Sequence, residues 1–325
     1  MIESPVISVV IPLPDDRGYA FDCLKGFTRQ TLNVAHEVIV PTDAESASEI
    51  AWLVDEFPQV QWIYRPGLKM NALYNVGAAA AQGEYVYITE SHCIPRNDCL
   101  QQVYEFIQES GLPVACSSSD GINPNVIAKY EQRIFEEDFH RWMGAKKCKI
   151  AIRGTLIERR LWEEIGGFQA EFGHFSEMLI GRQMEAVGVQ IGFAKNSKVS
   201  HGNQVSLAPL SEELIAYGED ECRSCQLIPA DMRIADTKEW SDRKRLQENT
   251  AWLRFRQSKE AIRQWARAFA INYLPLPSEW RYRLFCRYWQ GAIRQGRLRY
   301  LASMNSQQPA IEKVSAPPVV YQKAA

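Results

Sequence analysis

Two residues with metal-ligating side chains stand two positions apart in Thr89-Glu90-Ser91-His92-Cys93-Ile94-Pro95. A carboxylate and an imidazole both ligate Mn2+, whereas Mg2+ prefers oxygen ligands alone. The stretch follows an apolar run, Tyr85 to Thr89, which places it at a strand end; a polar loop without metal is the alternative reading. Glu177 opens a helical stretch, where the amide dipole favours an ionised carboxylate. Taken alone, it reads as an ordinary helix-start residue. His201 follows another apolar segment, and a lone histidine is most often a satisfied core residue. Cys222 and Cys225 have CxxC spacing without a second such pair. A zinc site would need two further ligands, so two reduced thiols near a helix are expected.

The elements that must position these groups alternate through the first two hundred residues. Val6 to Ile11 is an apolar, β-branched run ended by Pro12, as in a buried parallel strand. Helical spacing follows over Tyr19 to Gln30, then a strand over Glu37 to Val40 and a helix over Ser46 to Phe57. Val60 to Tyr64 and Tyr85 to Thr89 are the next strands. Between them lies the Ala-rich helix Lys69 to Ala81, with Gly83 expected as its left-handed stop. Further strands are expected over Val114 to Ser117, Lys149 to Ile157 and Val189 to Ala194. Helices are expected around Ile127 to Trp142, Arg160 to Ile165 and Phe175 to Val187. This cadence predicts a doubly wound α/β sheet, whose ligands bind beyond the carboxyl ends of its strands.

The usual nucleotide-binding and hydrolase signatures are missing. The first strand runs into Pro12-Leu13-Pro14-Asp15-Asp16 instead of a glycine-rich turn, and neither GxxxxGK[ST] nor GxSxG occurs. A sugar nucleotidyltransferase should carry a glycine-rich basic loop here, which Pro12 to Arg17 does not supply. Six segments in order, VISVVIPLP, CLKGFTRQT, EVIVPTD, LKMNALYNVGAAAAQGEYVYI, RGTLIERRLWEEIGGF and the helix, strand and His201 that follow, resemble the family 2 glycosyltransferases. The resemblance covers about residues 6 to 204. It implies a GT-A fold, that is, a Rossmann-like, doubly wound mixed sheet, followed here by a mostly helical region.

It also implies inverting transfer of a sugar from a nucleotide-diphosphate donor, with UDP-sugars favoured, to a glycan, lipid-linked or small-molecule hydroxyl acceptor. Pro12, Leu13, Asp43, Lys69, Asn71 and Asn75 would then bind the donor, and Arg153 and Gly154 would lie on the acceptor side. Glu90, His92 and His201 would hold a divalent cation, Mn2+ or Mg2+, against the diphosphate. Glu177 would be the catalytic base. Two departures from the family pattern bear on this: Glu-Ser-His replaces the usual Asp-any-Asp, and Ser176-Glu177 replaces Glu-Asp. Loss of both Asp landmarks motivates the rival, a non-catalytic nucleotide-sugar-binding or membrane-associated scaffold. The processive Gln-any-any-Arg-Trp signature is absent, which favours single transfer.

Composition sets the remaining expectations. The 325 residues are 46% hydrophobic with net charge −2, an ordinary globular balance. Residues 243–300 nevertheless hold fourteen Lys or Arg against three Glu, interleaved with Trp, Phe and Tyr. Such a region suits an anionic membrane surface; packing of its aromatics on the catalytic domain is the alternative, and no motif supports nucleic acid as a partner. The expected organisation is a catalytic domain over 1–205, a basic helical region over 206–302 and a disordered tail over 303–325. No apolar run reaches the roughly 20 residues of a membrane span. MIESPVISVV has no leader pattern and the eight cysteines are scattered, so the expected location is cytoplasmic, with peripheral attachment at the inner face of a membrane through the basic region.

Overall fold

The computed structural model describes residues 4–143, 149–227 and 250–306. Strand β1 (Ile7–Val10) is buried on both faces and pairs in parallel with β2 (His36–Thr42) and β4 (Tyr85–Ile88). Its β-branched residues suit such a position, because strands covered on both faces need no polar alternation. β3 (Gln61–Tyr64) extends the parallel half beside β2. Beyond β4 the sheet turns mixed, with β7 (Thr155–Glu158) antiparallel to both β4 and β6 (Val114–Gly121). β8 (Ile191–His201) lies parallel to β6, and the three-residue β5 (Cys93–Pro95) closes the edge antiparallel to β8. The order is β3-β2-β1-β4-β7-β6-β8-β5, an eight-stranded mixed sheet of the doubly wound kind.

Helices cover both faces. Ile7, Val9, Tyr87, Ala115 and Leu156 pack beneath α1 (Ala20–Thr28) and α4 (Cys99–Ser110). Val10, Ile39, Ile88, Cys116 and Ile157 meet α3 (Met70–Ala80), α6 (Arg159–Ile165) and α7 (Ser176–Ala186) on the other side. The helix expected over Ser46 to Phe57 is a 3-10 turn, Ala47–Ile50, followed by a single helical turn, α2 (Ala51–Val54). Gly83 is not the left-handed stop of α3. That helix ends in extended backbone at Ala81, and Gly83 instead lies so close to the Ser8 backbone that a Cβ would sit 2.8 Å from the Ser8 nitrogen.

Three strands also differ from expectation. Residues 149–154 form a loop, not the start of β7; β6 runs on to Gly121; and β8 continues through His201. The extensions are polar, and their partners lie far away in sequence, so local hydropathy does not show them.

α5 (Val126–Met143), α8 (Leu207–Leu227), α9 (Thr250–Tyr273) and α10 (Ser278–Ser306) form the helical part. Tyr282, Phe285 and Tyr288 of α10 pack with Ile127 and Tyr130 of α5 and with Leu207, Leu210 and Leu214 of α8. Tyr282, Phe285 and Tyr288 therefore follow the packing alternative, whereas Trp280 at the start of α10 and much of α9's aromatic set stay exposed. α10 extends to Ser306, past the expected start of the tail at 303; residues 307–325, Cys148 and the break near Pro229 lie outside the described residues. Among the described residues no helix is long and apolar enough to cross a membrane.

Candidate active site

The cluster forms where β1 and β4 release the chain at the same sheet edge. Thr89 is anchored on two sides: its carbonyl accepts from the Tyr74 hydroxyl at 2.9 Å, and its own hydroxyl donates to the Arg153 carbonyl at 2.9 Å. Ser91 Oγ and His92 Nδ1 both reach the Asp15 carbonyl, at 2.9 and 2.8 Å, tying the loop after β4 to the loop after β1. The pairing of β5 with β8 then does what no local motif could. The register Cys93↔His201 brings the Nε2 atoms of His92 and His201, 109 positions apart in sequence, to 3.1 Å. Glu90 completes the group, 3.6 Å from His92 Nε2 and 3.4 Å from His201 Nε2.

The hydrogen bonds around the two rings fix their tautomers. A carbonyl only accepts, so His92 Nδ1 donates to Asp15. Arg153, which only donates, meets Asn203 Oδ1 at 3.2 Å; that atom is therefore the amide oxygen, and His201 Nδ1 donates to it at 2.8 Å. With both Nδ1 protonated, the two Nε2 lone pairs face each other. They repel unless a proton or a cation lies between them. Outer-sphere partners of this kind orient histidine ligands in metal centres. Burial works to raise the Glu90 carboxyl pKa, but His92, His201 and Arg17 together hold it well below the usual carboxylate range. Burial, with Arg153 nearby, pushes His201 well below the ordinary histidine value, keeping its lone pair available.

Glu90, Cys93 and His201 also bring ligand atoms close together. The Cys93 thiol is pushed far up by burial and by Glu90, so it stays protonated and makes a poor ligand for a hard cation. Glu90 and the two imidazoles are the better set.

Glu177 is presented by a braced loop. Asn75 clamps Phe168 from both ends of its amide, donating to the carbonyl at 2.7 Å and accepting from the amide at 2.9 Å. Asn71 donates to the Gly173 carbonyl and, at 2.5 Å, to Ser176 Oγ, while its Oδ1 is buried with no hydrogen-bond partner among the described residues. Gly173 sits at φ 52°, where a Cβ would also run into the Asp220 carboxylate. α7 begins directly after, and Glu177 is its second residue. The helix-start expectation of an ionised carboxylate is overturned: burial, reinforced by the charge of Glu90, raises Glu177 to about 8 despite Lys149 and Arg153.

The remaining expected residues divide into two groups. Pro12 is buried at the end of β1, and Leu13 follows it, its amide donating to the Pro41 carbonyl at 3.1 Å. Asp43, directly after β2, and Lys69, directly before α3, are both exposed. Arg153 and Gly154, in contrast, face inward. Arg153 is 8% exposed, stacks 3.7 Å over Phe135 and donates to Gln132 Oε1 at 2.9 Å and to Asn203. A Cβ on Gly154 would collide with the Tyr87 hydroxyl, so this glycine serves a close approach within the sheet. Arg153 thereby fixes Asn203 beside the cluster, and both residues are buried.

Sequence reasoning missed Arg17 and Asn203. Arg17 adopts φ 48°, rare for a side chain other than glycine, and bridges Asp15 (3.0 Å), the Gly202 carbonyl (3.0 Å) and Glu213 (3.3 Å). The charged run Asp15-Asp16-Arg17-Gly18 in the loop after β1 was the signal. Asn203 follows His201 by two positions, but nothing local marks it as that ring's acceptor.

A search by sequence among curated proteins returns no match. Among solved structures, a mannosyltransferase from Pyrobaculum calidifontis, determined in complex with GDP-Man and Mn2+, shares the fold at a TM-score of 0.58. The two are 13% identical over 92% of this chain and 88% of that one. Residues 5–214 match the family model described as glycosyltransferase like family 2. With the GT-A sheet, the helical C-terminal region and a family match over more than half its length, the chain belongs to glycosyltransferase-like family 2, and its enzyme class is that of the glycosyltransferases.

Proposed function

We propose that the protein transfers a sugar from a nucleotide-diphosphate donor to a hydroxyl acceptor with inversion, at a site built from Glu90, His92, His201 and Glu177. The observation that carries this reading is the convergence of two imidazole Nε2 atoms and a carboxylate beyond the carboxyl end of β4, where ligands of such sheets bind. The donor set suits Mn2+ better than Mg2+. When bound, a cation here would offset negative charge on the leaving diphosphate. Asp43, Lys69 and the backbone around Pro12 and Leu13 would hold the nucleoside and phosphates, and Asn71 Oδ1, which has no partner among the described residues, would be a further polar contact. The catalytic domain is taken to end near 205, with the helical region as a separate unit from 206.

In the transfer, the acceptor oxygen forms a bond to the anomeric carbon while the bond from that carbon to the diphosphate oxygen breaks. The acceptor hydroxyl proton passes to the Glu177 carboxylate, and the nucleoside diphosphate leaves with the bonding electrons. Arg153, Asn203 and Gln132 act as positioning residues for His201, and Asn75 positions the Glu177 loop. The basic helical region would keep the enzyme at an anionic membrane surface. The scaffold reading draws on Glu177 itself, since a carboxyl that keeps its proton at neutral pH cannot take another.

GDP-mannose joins the UDP-sugars as a first donor to test, because the solved neighbour holds GDP-Man. A thermal-shift screen of both classes with and without Mn2+ should show one donor raising the unfolding temperature only with the cation. Release of nucleoside diphosphate on adding acceptor should accompany it. A donor that binds with Mn2+ but is never turned over at any pH would favour the scaffold.

A further inference from the structure

The helix α9 is amphipathic in the opposite sense to a surface helix. Glu260, 2% exposed, and Gln264 lie on its buried side with Leu253 and Ile271. Gln264 donates to the Tyr288 carbonyl at 2.7 Å, and Glu260 is ringed by Arg263, Arg267 and Arg294 at 2.8–3.5 Å. The outer side carries Phe255, Ile262 and Phe269, spaced by seven residues and hence nearly in line along the axis, with Trp265 and Tyr273 beside them. Ile262, Trp265 and Tyr273 are 68%, 71% and 73% exposed, and no described residue covers them. Trp265 stacks on Phe269 at 6.0 Å and Phe269 meets Tyr273 at 5.3 Å, a continuous aromatic row in contact with solvent.

The geometry points to this outer face of α9 as the surface that docks on an anionic lipid bilayer. The inference deepens the membrane reading above and is independent of the transfer chemistry. Charge complementarity selects the occupant. At 100° per residue Arg254 falls to one side of the row and Lys259 and Arg263 to the other, where headgroup phosphates would lie if the rings entered the acyl boundary. Across residues 250–306 there are eleven Lys or Arg and only two acidic residues. Of these two, Glu260 is buried beneath its arginines, and Glu279 is held by Arg133 at 2.7 Å. The outer face of α9 thus carries no acidic side chain, which suits phosphate-rich lipid. Trp and Tyr are the side chains that favour the bilayer interface.

The test uses the full chain and vesicles of phosphatidylcholine with or without phosphatidylglycerol. Co-sedimentation is expected with the anionic vesicles at low salt, falling with added salt, and little is expected with neutral ones. The triple variant Phe255→Ser, Ile262→Ser, Phe269→Ser should partition at least tenfold less while keeping its circular dichroism and its thermal response to donor. Trp252, 53% exposed and stacked on Phe255 at 5.4 Å, adds a ring to this face, and Trp252→Phe with Trp265→Phe should still bind but lose more than half of the fluorescence quenching by brominated lipid. Wild-type protein that stays in the supernatant while folded would overturn the inference, as would a triple variant that binds unchanged. A concentration-dependent dimer abolished by the triple substitution, without vesicle binding, would overturn it in favour of a second copy of the chain. None of these outcomes bears on donor binding, which is read separately.

Discussion

At pH 7 the Glu177 carboxyl holds a proton that a solvated helix-start residue would have lost, because burial and the neighbouring charge of Glu90 raise it to about 8. A base must first be deprotonated, so turnover should rise with pH through that value. Saturating Mn2+, by neutralising Glu90, should move the acidic limb of the pH–rate profile to lower pH; an unchanged limb would separate the two carboxylates. Glu177→Gln should lower transfer roughly a hundredfold or more, the usual scale of general-base loss, with donor affinity kept. Glu177→Asp should keep part of the activity. Stability should move the other way. Between the ordinary carboxyl value and about 8 the native state binds a proton that the unfolded chain has released, so the burial of Glu177 destabilises progressively as pH rises through that window. Each unit of raised pKa corresponds to about 1.4 kcal/mol. Thermal unfolding at pH 8.5 should therefore find Glu177→Gln more stable than the parent, and a less stable variant would contradict the burial argument.

The elements differ in how much of them the sequence discloses. β1 and β4 are legible because strands buried on both faces are written as unbroken apolar runs. β5 is not: three residues with a proline read as a polar break, and only pairing with β8 makes them a strand. His92 and Glu90 were visible as a pair for that reason of position, whereas the way His201 joins them depends on a register that no local pattern encodes. The same limit explains Arg153. The resemblance put it on the acceptor side, and that it lies buried over Phe135 and fixes the Asn203 amide is a fact of packing. Two predictions belong here. Asn203→Ala removes the acceptor of the His201 Nδ1 proton, and Mn2+ affinity by calorimetry should fall about 10–100-fold with the fold retained. Gly154→Ala should lower the unfolding temperature, at a cost of about 1–3 kcal/mol for overpacking, and Tyr87→Phe should restore part of it by removing the hydroxyl in the way.

Across the whole molecule, one composition serves two ends. α9 and α10 both interleave aromatic and basic residues, and nothing in that pattern says which helix is covered. The fold decides: α10 buries Tyr282, Phe285 and Tyr288 against α5 and α8, and α9 turns a comparable set outward. The cluster of Glu90, His92 and His201 is assembled in the same non-local way, from the loops after β1 and β4 and the end of β8. Because a proton or a cation must lie between His92 and His201, metal binding should release a proton where one was held. Calorimetric titration of Mn2+ in buffers of different ionisation enthalpy reads that release directly.

The central claim, that Glu90, His92 and His201 hold the cation that meets the donor diphosphate, is tested most directly by pulsed electron paramagnetic resonance of the Mn2+-loaded protein with and without GDP-mannose or the donor that the thermal screen identifies. Coupling to two imidazole nitrogens is expected, one of them lost in His92→Ala and the other in His201→Ala, with a phosphorus coupling that appears when the donor is added. Mn2+ that shows water protons alone, with no nitrogen coupling and no phosphorus coupling at saturating donor, would contradict it.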